Sequence, residues 1–437
     1  MANQDVSPPA SASIARVTRR VVIGQMLFST GNVLSTGGFL YYFANEFRPS
    51  AALFALLQVA PEVAESLGVF ARPVVDTFGG RKRAWMALLI IGRLAALVIP
   101  AMAFPALRPE GVDPFWIIVT SVAVWYACQG LSFVAYLSWL SDLAPERQWG
   151  RFFAARQMST IVVSLIVPVA AAMTRERWLK QLPDGARDWS FAAIFIAGGV
   201  LALGSIVPLW RLPDVPRRTA SSSLQSWSLL PRILADRSLR RVLAGSWWLA
   251  LAQGLSQAAI FKFQVEVLHV PLSRYYVLSS VMLVLQLPLA VLAGRMSDRY
   301  GDRRPLMLAL WTVSPALLFL MSATPQTWWL LFGAYALWGL FGIINVCQQN
   351  LVLRLAPATD NTLQLGLFRQ VGGLLAGLAG LCGGLWLDDL LLDSASVNIA
   401  GLVLGPFQIV FAASLLGRIT APLWFLGVRE SGRSGCA

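Results

Sequence analysis

Asp76-Thr-Phe-Gly79-Gly-Arg81-Lys82 and Asp298-Arg-Tyr-Gly301-Asp-Arg303-Arg304 are the stretches that decide how this chain folds. Both fit D-x-x-G-x-R-[KR], and they begin 222 residues apart (298 minus 76). A second echo runs in the same order. Leu143-Ala144-Pro145 is followed by Arg156-Gln157, and Leu355-Ala356-Pro357 by Arg369-Gln370. Two matched landmarks in one order predict a duplicated chain.

Around these landmarks the chain is apolar. Of its 437 residues 57% are hydrophobic and 13% charged, about half the charge of a soluble domain. Uncharged runs of about 20 residues recur, enough to cross a ~30 Å hydrocarbon layer as helix. Backbone groups in lipid must be satisfied within the segment, which selects helix, and the runs are too long and unbroken for barrel strands. The expected spans are 21–45, 51–72, 84–105, 114–141, 152–173, 190–211, 242–265, 274–296, 305–323, 328–352, 365–387 and 400–427. The predicted fold is all-α and polytopic. A cytoplasmic segment (1–20) leads into a six-helix bundle (21–211). A basic linker (212–241), a second bundle (242–427) and a cytoplasmic tail (428–437) follow. Within the linker Trp227, Leu230, Ile233 and Leu234 are spaced for a short helix lying on the membrane surface.

A net charge of +13 would point to nucleic acid in a soluble protein. Here every second connection is basic: Arg16, Arg19 and Arg20 at the start, Arg72 to Arg83, Arg147 to Arg156, Arg211 to Arg241, Arg295 to Arg304, Arg354 with Arg369, and the tail. The positive-inside rule then places both termini in the cytoplasm and requires an even number of spans. Anionic lipid is a sufficient partner for this charge, with no role for nucleic acid. Arginine far outnumbers Lys82, Lys180 and Lys262, which fits a bacterial cytoplasmic membrane. No cysteine spacing suits a disulfide or metal, and the basic N-terminus lacks the apolar core of a removable signal.

The segment Gly294-Arg-Met-Ser-Asp298-Arg-Tyr-Gly301-Asp-Arg303-Arg304 resembles the signature that the major facilitator superfamily carries between spans 2 and 3, with a relaxed copy between spans 8 and 9. Here the fuller copy is the second. The first keeps Asp76, Gly79, Arg81 and Lys82 but has Arg72 where the family has glycine. The resemblance implies twelve helices in two pseudo-symmetric bundles. It also implies a latch in which Asp76 and Asp298 close one side of the protein, with Arg81, Lys82, Arg303 and Arg304 as partners. A plain turn role for these residues is the alternative.

Within the spans, Glu62 and Glu65 are costly, roughly 2.5–3.5 kcal/mol each at mid-membrane. They lie 14 and 11 residues before Asp76, hence about 21 and 16 Å from that end of a straight helix and within ~40° of its face. Arg93 re-enters at similar depth in span 3 and is expected to pair with one of them. Three readings stay open: proton coupling through the second carboxylate, a structural ion pair, or contact with substrate. Amides at Asn32, Gln129, Gln253, Gln257, Gln286, Asn345, Gln348 and Gln349, and the ring of Trp338, are candidates for a substrate cavity or for bonds between helices. Arg418 is expected to snorkel to the interface.

The expected activity is secondary transport of a small molecule by alternating access, with protons as a candidate partner, by a chain acting as a monomer. A passive facilitator or lipid-handling protein of the same fold is the alternative, or a membrane enzyme or scaffold. There is no nucleotide-binding sequence and no nucleophile or metal constellation, so neither a cofactor nor catalysis is expected.

Overall fold

The computed structural model describes residues 11–143, 149–181, 187–214, 235–355, 364, 367–399 and 402–429. The linker helix expected around Trp227 and the Ala144-Pro145 and Ala356-Pro357 corners lie outside these residues, as does the side chain of Glu65.

Helix occupies every predicted span. The main helices are α1 (Ser11–Ser35), α2 (Ala51–Ser66), α3 (Arg81–Ala96), α4 (Pro114–Leu143), α5 (Trp149–Gln181) and α6 (Arg187–Gly204). In the second half come α7 (Arg237–Lys262), α8 (Leu272–Tyr300), α9 (Arg303–Val313), α10 (Phe341–Leu355), α11 (Gly372–Leu392) and α12 (Pro406–Thr420). Nine helical stretches among the described residues are long and apolar enough to cross a membrane, and Ala51–Ala64 is a shorter apolar helix. α1 and α7 fall outside that criterion. Both open on arginines and carry amides further along, Gln25 and Asn32 in one, Gln253 and Gln257 in the other.

Several spans are broken where the sequence reading drew them straight. Span 1 starts at Ser11 and is interrupted at Thr36, whose extended backbone precedes Gly37 at φ 56 and a second helix, Gly37–Asn45. Span 2 contains Pro61, then a 3-10 segment, Leu67–Phe70, then a short helix, Ala71–Thr77. A π-helical turn, Phe263–Val267, ends span 7, and another, Leu367–Val371, opens span 11. The connection between α11 and α12 forms a small antiparallel hairpin, β1 (Val397–Ile399) with β2 (Leu402–Leu404), pairing Val397 with Leu404. No strand was expected there. Alternating Val397, Ile399, Leu402 and Leu404 supplies the β-favouring residues.

The chain divides into two compact units, Met1–Phe47 with Ala64–Ala220, and Arg48–Val63 with Ser221–Ala437. The boundary inside span 2 falls two residues after Pro61, so the first stretch of α2 belongs to the second unit.

In the first unit, aromatic rings fill the end of the bundle near Asp76. Trp85 stacks on Tyr136 at 5.1 Å and on Trp139 at 6.0 Å, among Val21, Leu140 and Leu209. In the second unit, α7 and α11 meet backbone to backbone. A Cβ at Gly254 would collide with the Ala376 carbonyl, and one at Gly383 with the Leu255 carbonyl. The adjacent face of α11 receives α2: Gly377 accommodates Val59, and Gly384 lies against the backbone of Ala51 and Ala52. Small residues let helices approach this closely where lipid supplies no hydrophobic drive. Arg418 does not snorkel. It is 4% exposed, and its guanidinium donates to Ser414 Oγ and Ser256 Oγ, both at 3.2 Å, because neighbouring hydroxyls offer acceptors inside the bundle.

Candidate functional site

The repeated motif acts first as a set of helix caps within each unit. Gly79 (φ 67) and Gly301 (φ 78) adopt the left-handed backbone that makes the reversal between helices possible. Lys82 Nζ then donates to the carbonyls of Trp210 and Leu212 at the end of span 6, at 2.6 and 2.7 Å. Arg303 donates to the Val428 carbonyl at the end of span 12, at 3.3 Å. Arginines early in spans 1 and 7 do likewise, Arg20 to the Arg211 carbonyl and Arg241 to that of Gly427. Cations at carbonyls left over at a helix C-terminus satisfy those groups and the negative end of the dipole. The two halves thus repeat one set of contacts.

The halves differ in how the loop is pinned to span 4 or span 10. In the first, Arg81 is buried and donates to Ser138, to its carbonyl at 2.7 Å and its hydroxyl at 3.0 Å. In the second, the buried group is an acid. Asp302, fully enclosed, forms an ion pair with Arg354 (2.9 Å) and accepts a hydrogen bond from Asn350 (3.1 Å). Arg354 also donates to Ser297 at 3.0 Å. Asp302 occupies the position held by Gly80 in the first copy. The predicted latch acids, Asp76 and Asp298, are exposed, as is Arg304, while Gly294 has open space beside it.

The span 2 acids stand differently from a straight-helix reading. The 3-10 segment Leu67–Phe70 interrupts the helix between Glu62, in the second unit, and Asp76, in the first. Glu62 is exposed on α2, in the second unit, and a Cβ on Gly373 would lie 3.2 Å from its Oε2.

Arg93 is the largest buried charge in the first unit, 0% exposed. Nη2 donates to Asn32 Oδ1 at 3.1 Å, and the guanidinium lies over Trp125 (4.5 Å) and Phe28 (5.5 Å). Among the described residues no carboxylate pairs with it, in place of the expected glutamate, and its Nε and Nη1 have no partner. Asn32 and Arg93 are the two predicted site residues that the structure joins directly.

One helical face further along α1, Gln25 builds a second polar cluster that the sequence reading missed. Arg156 Nε donates to Gln25 Oε1 at 2.8 Å, and Gln25 Nε2 donates to Ser29 and Thr160, both at 3.0 Å. The guanidinium of Arg156 also lies 5.4 Å from the Tyr136 ring. A cavity of about 30 Å³ is lined here by Gln25, Phe28, Gln129, Ser132, Tyr136 and Arg156. Gln25 and Asn32 are seven apart, hence on one face of α1. That spacing was the signal available in the sequence.

The remaining candidates are scattered through the second unit. Gln257, Asn345 and Gln349 are exposed, Gln253 and Gln286 half-buried. Gln348 and Trp338 are buried, and among the described residues Gln348 Nε2 and Trp338 Nε1 have no partner. Trp338 packs edge-on against Tyr335 (4.8 Å), whose hydroxyl donates to Gln264. Lys262 and Glu266 form the i, i+4 salt bridge expected of their spacing, at 2.7 Å.

Two halves of apolar helices with the same caps, each holding buried cations and amides at mid-helix, define a polytopic transport protein. The chain belongs to the Major Facilitator Superfamily, whose family model matches residues 21–272 and 257–435. Its fold is that of solved transporters. A D-xylose-proton symporter aligns with a TM-score of 0.66 at 16% identity, over 95% of this chain and 98% of its own. The nucleoside transporter NupG aligns at 0.64 and 14%, over 95% and 98%. A bacterial metal transporter aligns at 0.67 and 15%, over 94% and 98%. No curated protein matches the sequence.

Proposed function

We propose that this transporter is secondary active, carries a small solute by alternating access, and draws on protons through the acids of span 2. Its setting is a bacterial cytoplasmic membrane, with both termini in the cytoplasm as the arginine distribution requires. The observation that carries the coupling is Glu62. It is an exposed carboxylate near the middle of an apolar helix, with no cation against it among the described residues. Carboxylates within a span are costly and usually face a partner or a water-filled path, which makes Glu62 the candidate carrier of the coupled proton.

The test is flux into proteoliposomes holding the purified protein, offered a mixed panel of sugars, nucleosides and organic acids read by mass spectrometry. A pH gradient accelerates uptake in the native protein. In Glu62→Gln uptake becomes indifferent to the gradient. Uptake that ignores the gradient in the native protein makes it a passive facilitator, and no uptake of any solute removes the transport reading.

A further inference from the structure

We infer that the first unit binds the oxyanion of its solute, a carboxylate or a phosphate, on the unpartnered N–H groups of Arg93. This inference rests on the transport reading above and names the substrate class.

The case begins with the cost of Arg93. A fully enclosed guanidinium gives up its hydration, and the loss is made good only by close, well-directed partners. Here one amide oxygen, Asn32 Oδ1, and two aromatic faces are what the described residues provide. Those contacts hold the group in a defined orientation through Nη2 and the ring planes. They leave Nε and Nη1 without an acceptor. Nε and Nη1 lie on different edges of the guanidinium plane, so an oxyanion can meet Nη1, or Nε together with the second hydrogen of Nη2, in charge-assisted hydrogen bonds. Arg93 also lines a void of about 10 Å³ beside Ser35, Trp125 and Phe195, the size of one water molecule. Arg93 is therefore next to space that rearrangement of the bundle can enlarge.

The second cluster points the same way. Arg156 lies on the same face of α1 through Gln25, about two helical turns or ~10 Å from Asn32. It too has amide and aromatic partners and no carboxylate among the described residues. Two guanidinium groups along one polar seam give a path of single sign. A path of this kind attracts anions and repels cations. A neutral sugar or nucleoside would leave both positive charges uncompensated.

Thermal unfolding of the full chain in detergent tests the inference with named probes: acetate, succinate, citrate, inorganic phosphate and glycerol 3-phosphate, against xylose and uridine. At least one oxyanion is expected to raise the melting temperature saturably, because a ligand bound by the folded state alone stabilises it. The carboxylate and phosphate arms separate the two head groups. In Arg93→Gln the concentration needed rises tenfold or more. If that variant cannot be recovered folded, Asn32→Asp decides: it sets a fixed carboxylate against the guanidinium and should abolish the oxyanion response while preserving the fold. Stabilisation by no oxyanion, stabilisation by the neutral probes alone, or an unchanged response in the recovered variant overturns the inference. So does a response that arises only in Glu65→Gln, since Glu65 would then be the resident counter-ion. Oxyanion binding without flux removes the transport reading and leaves this one. Flux of neutral solutes alone does the reverse.

Discussion

Asp388 on α11 holds the N-terminus of α2: its two carboxylate oxygens accept hydrogen bonds from the backbone N–H groups of Ala51 (2.7 Å) and Ala52 (2.9 Å). Ser50 completes the cap, its hydroxyl accepting from Leu53 and its carbonyl from Phe54. Three N–H groups that the helix leaves open at its start, those of Ala51, Ala52 and Leu53, are thus satisfied, two of them by an acid more than 300 residues away. The negative charge also meets the positive end of the α2 dipole. Asp388→Ala should lower stability by roughly 1 kcal/mol, the usual loss for a helix cap, and Asp388→Asn by less, since one amide oxygen still accepts. Melting curves of the two variants check the order. Equal melting temperatures for all three proteins would show the cap to be idle.

A buried ion pair makes a sharper case. Asp302 is fully enclosed, and Arg354 and Asn350 answer its two oxygens. Arg354→Gln leaves that carboxylate uncompensated, a change that costs about 3–5 kcal/mol in a dry interior. Because 41% of the Arg354 side chain is exposed, the low end of that range applies. Restoring neutrality with Asp302→Asn in the same chain should recover part of the loss. Additive losses in the double variant would mean that the two side chains do not interact.

The duplication, the helices and the family were legible because they depend on composition and on short local patterns. The reversal at Gly79 and Gly301 needs only a residue free to take positive φ, and the basic residues beside it mark a membrane border. The site was harder to read, since depth and rotation accumulate along a helix. Four 3-10 residues after Pro61 break the straight helix on which the depth and face of Glu62 were reckoned, and nothing in Leu67-Gly68-Val69-Phe70 announces them. Asn32 was found as a polar residue in an apolar run. A cation in a span is expected to seek an acid, and the partners of Arg93 among the described residues are an amide and two rings, while the side chain of Glu65 lies outside them. Arg156 was hidden in plain view, counted among the border arginines.

Two glycines, one in α7 and one at the end of α6, allow a controlled comparison. Gly254→Ala places a methyl group into the Ala376 carbonyl and should force α7 and α11 apart, lowering both the yield of folded protein and its melting temperature. Gly204→Ala, at the end of α6, meets nothing within 4 Å and should be neutral or stabilising by roughly 0.5–1 kcal/mol, since alanine favours helix. The pair separates contact from propensity. A harmless Gly254→Ala would show that the two helices can move apart without cost.

Arg418 offers the opposite expectation from most buried charges. Its described partners are hydroxyls, and those hydroxyls have other bonds: Ser256 and Ser414 lie 2.9 Å apart, and Ser414 donates to the Ala252 carbonyl at 2.6 Å. Removing the guanidinium therefore strands no acceptor. A flexible apolar chain of similar length fills the space without the desolvation penalty, so Arg418→Met should melt at the native temperature or above it. Arg418→Ala, which leaves a cavity, should melt lower. A large loss of stability in Arg418→Met would show that the arginine holds α7 and α12 together. Retained stability with lost flux would place Arg418 in the transport path, where its charge rather than its packing matters.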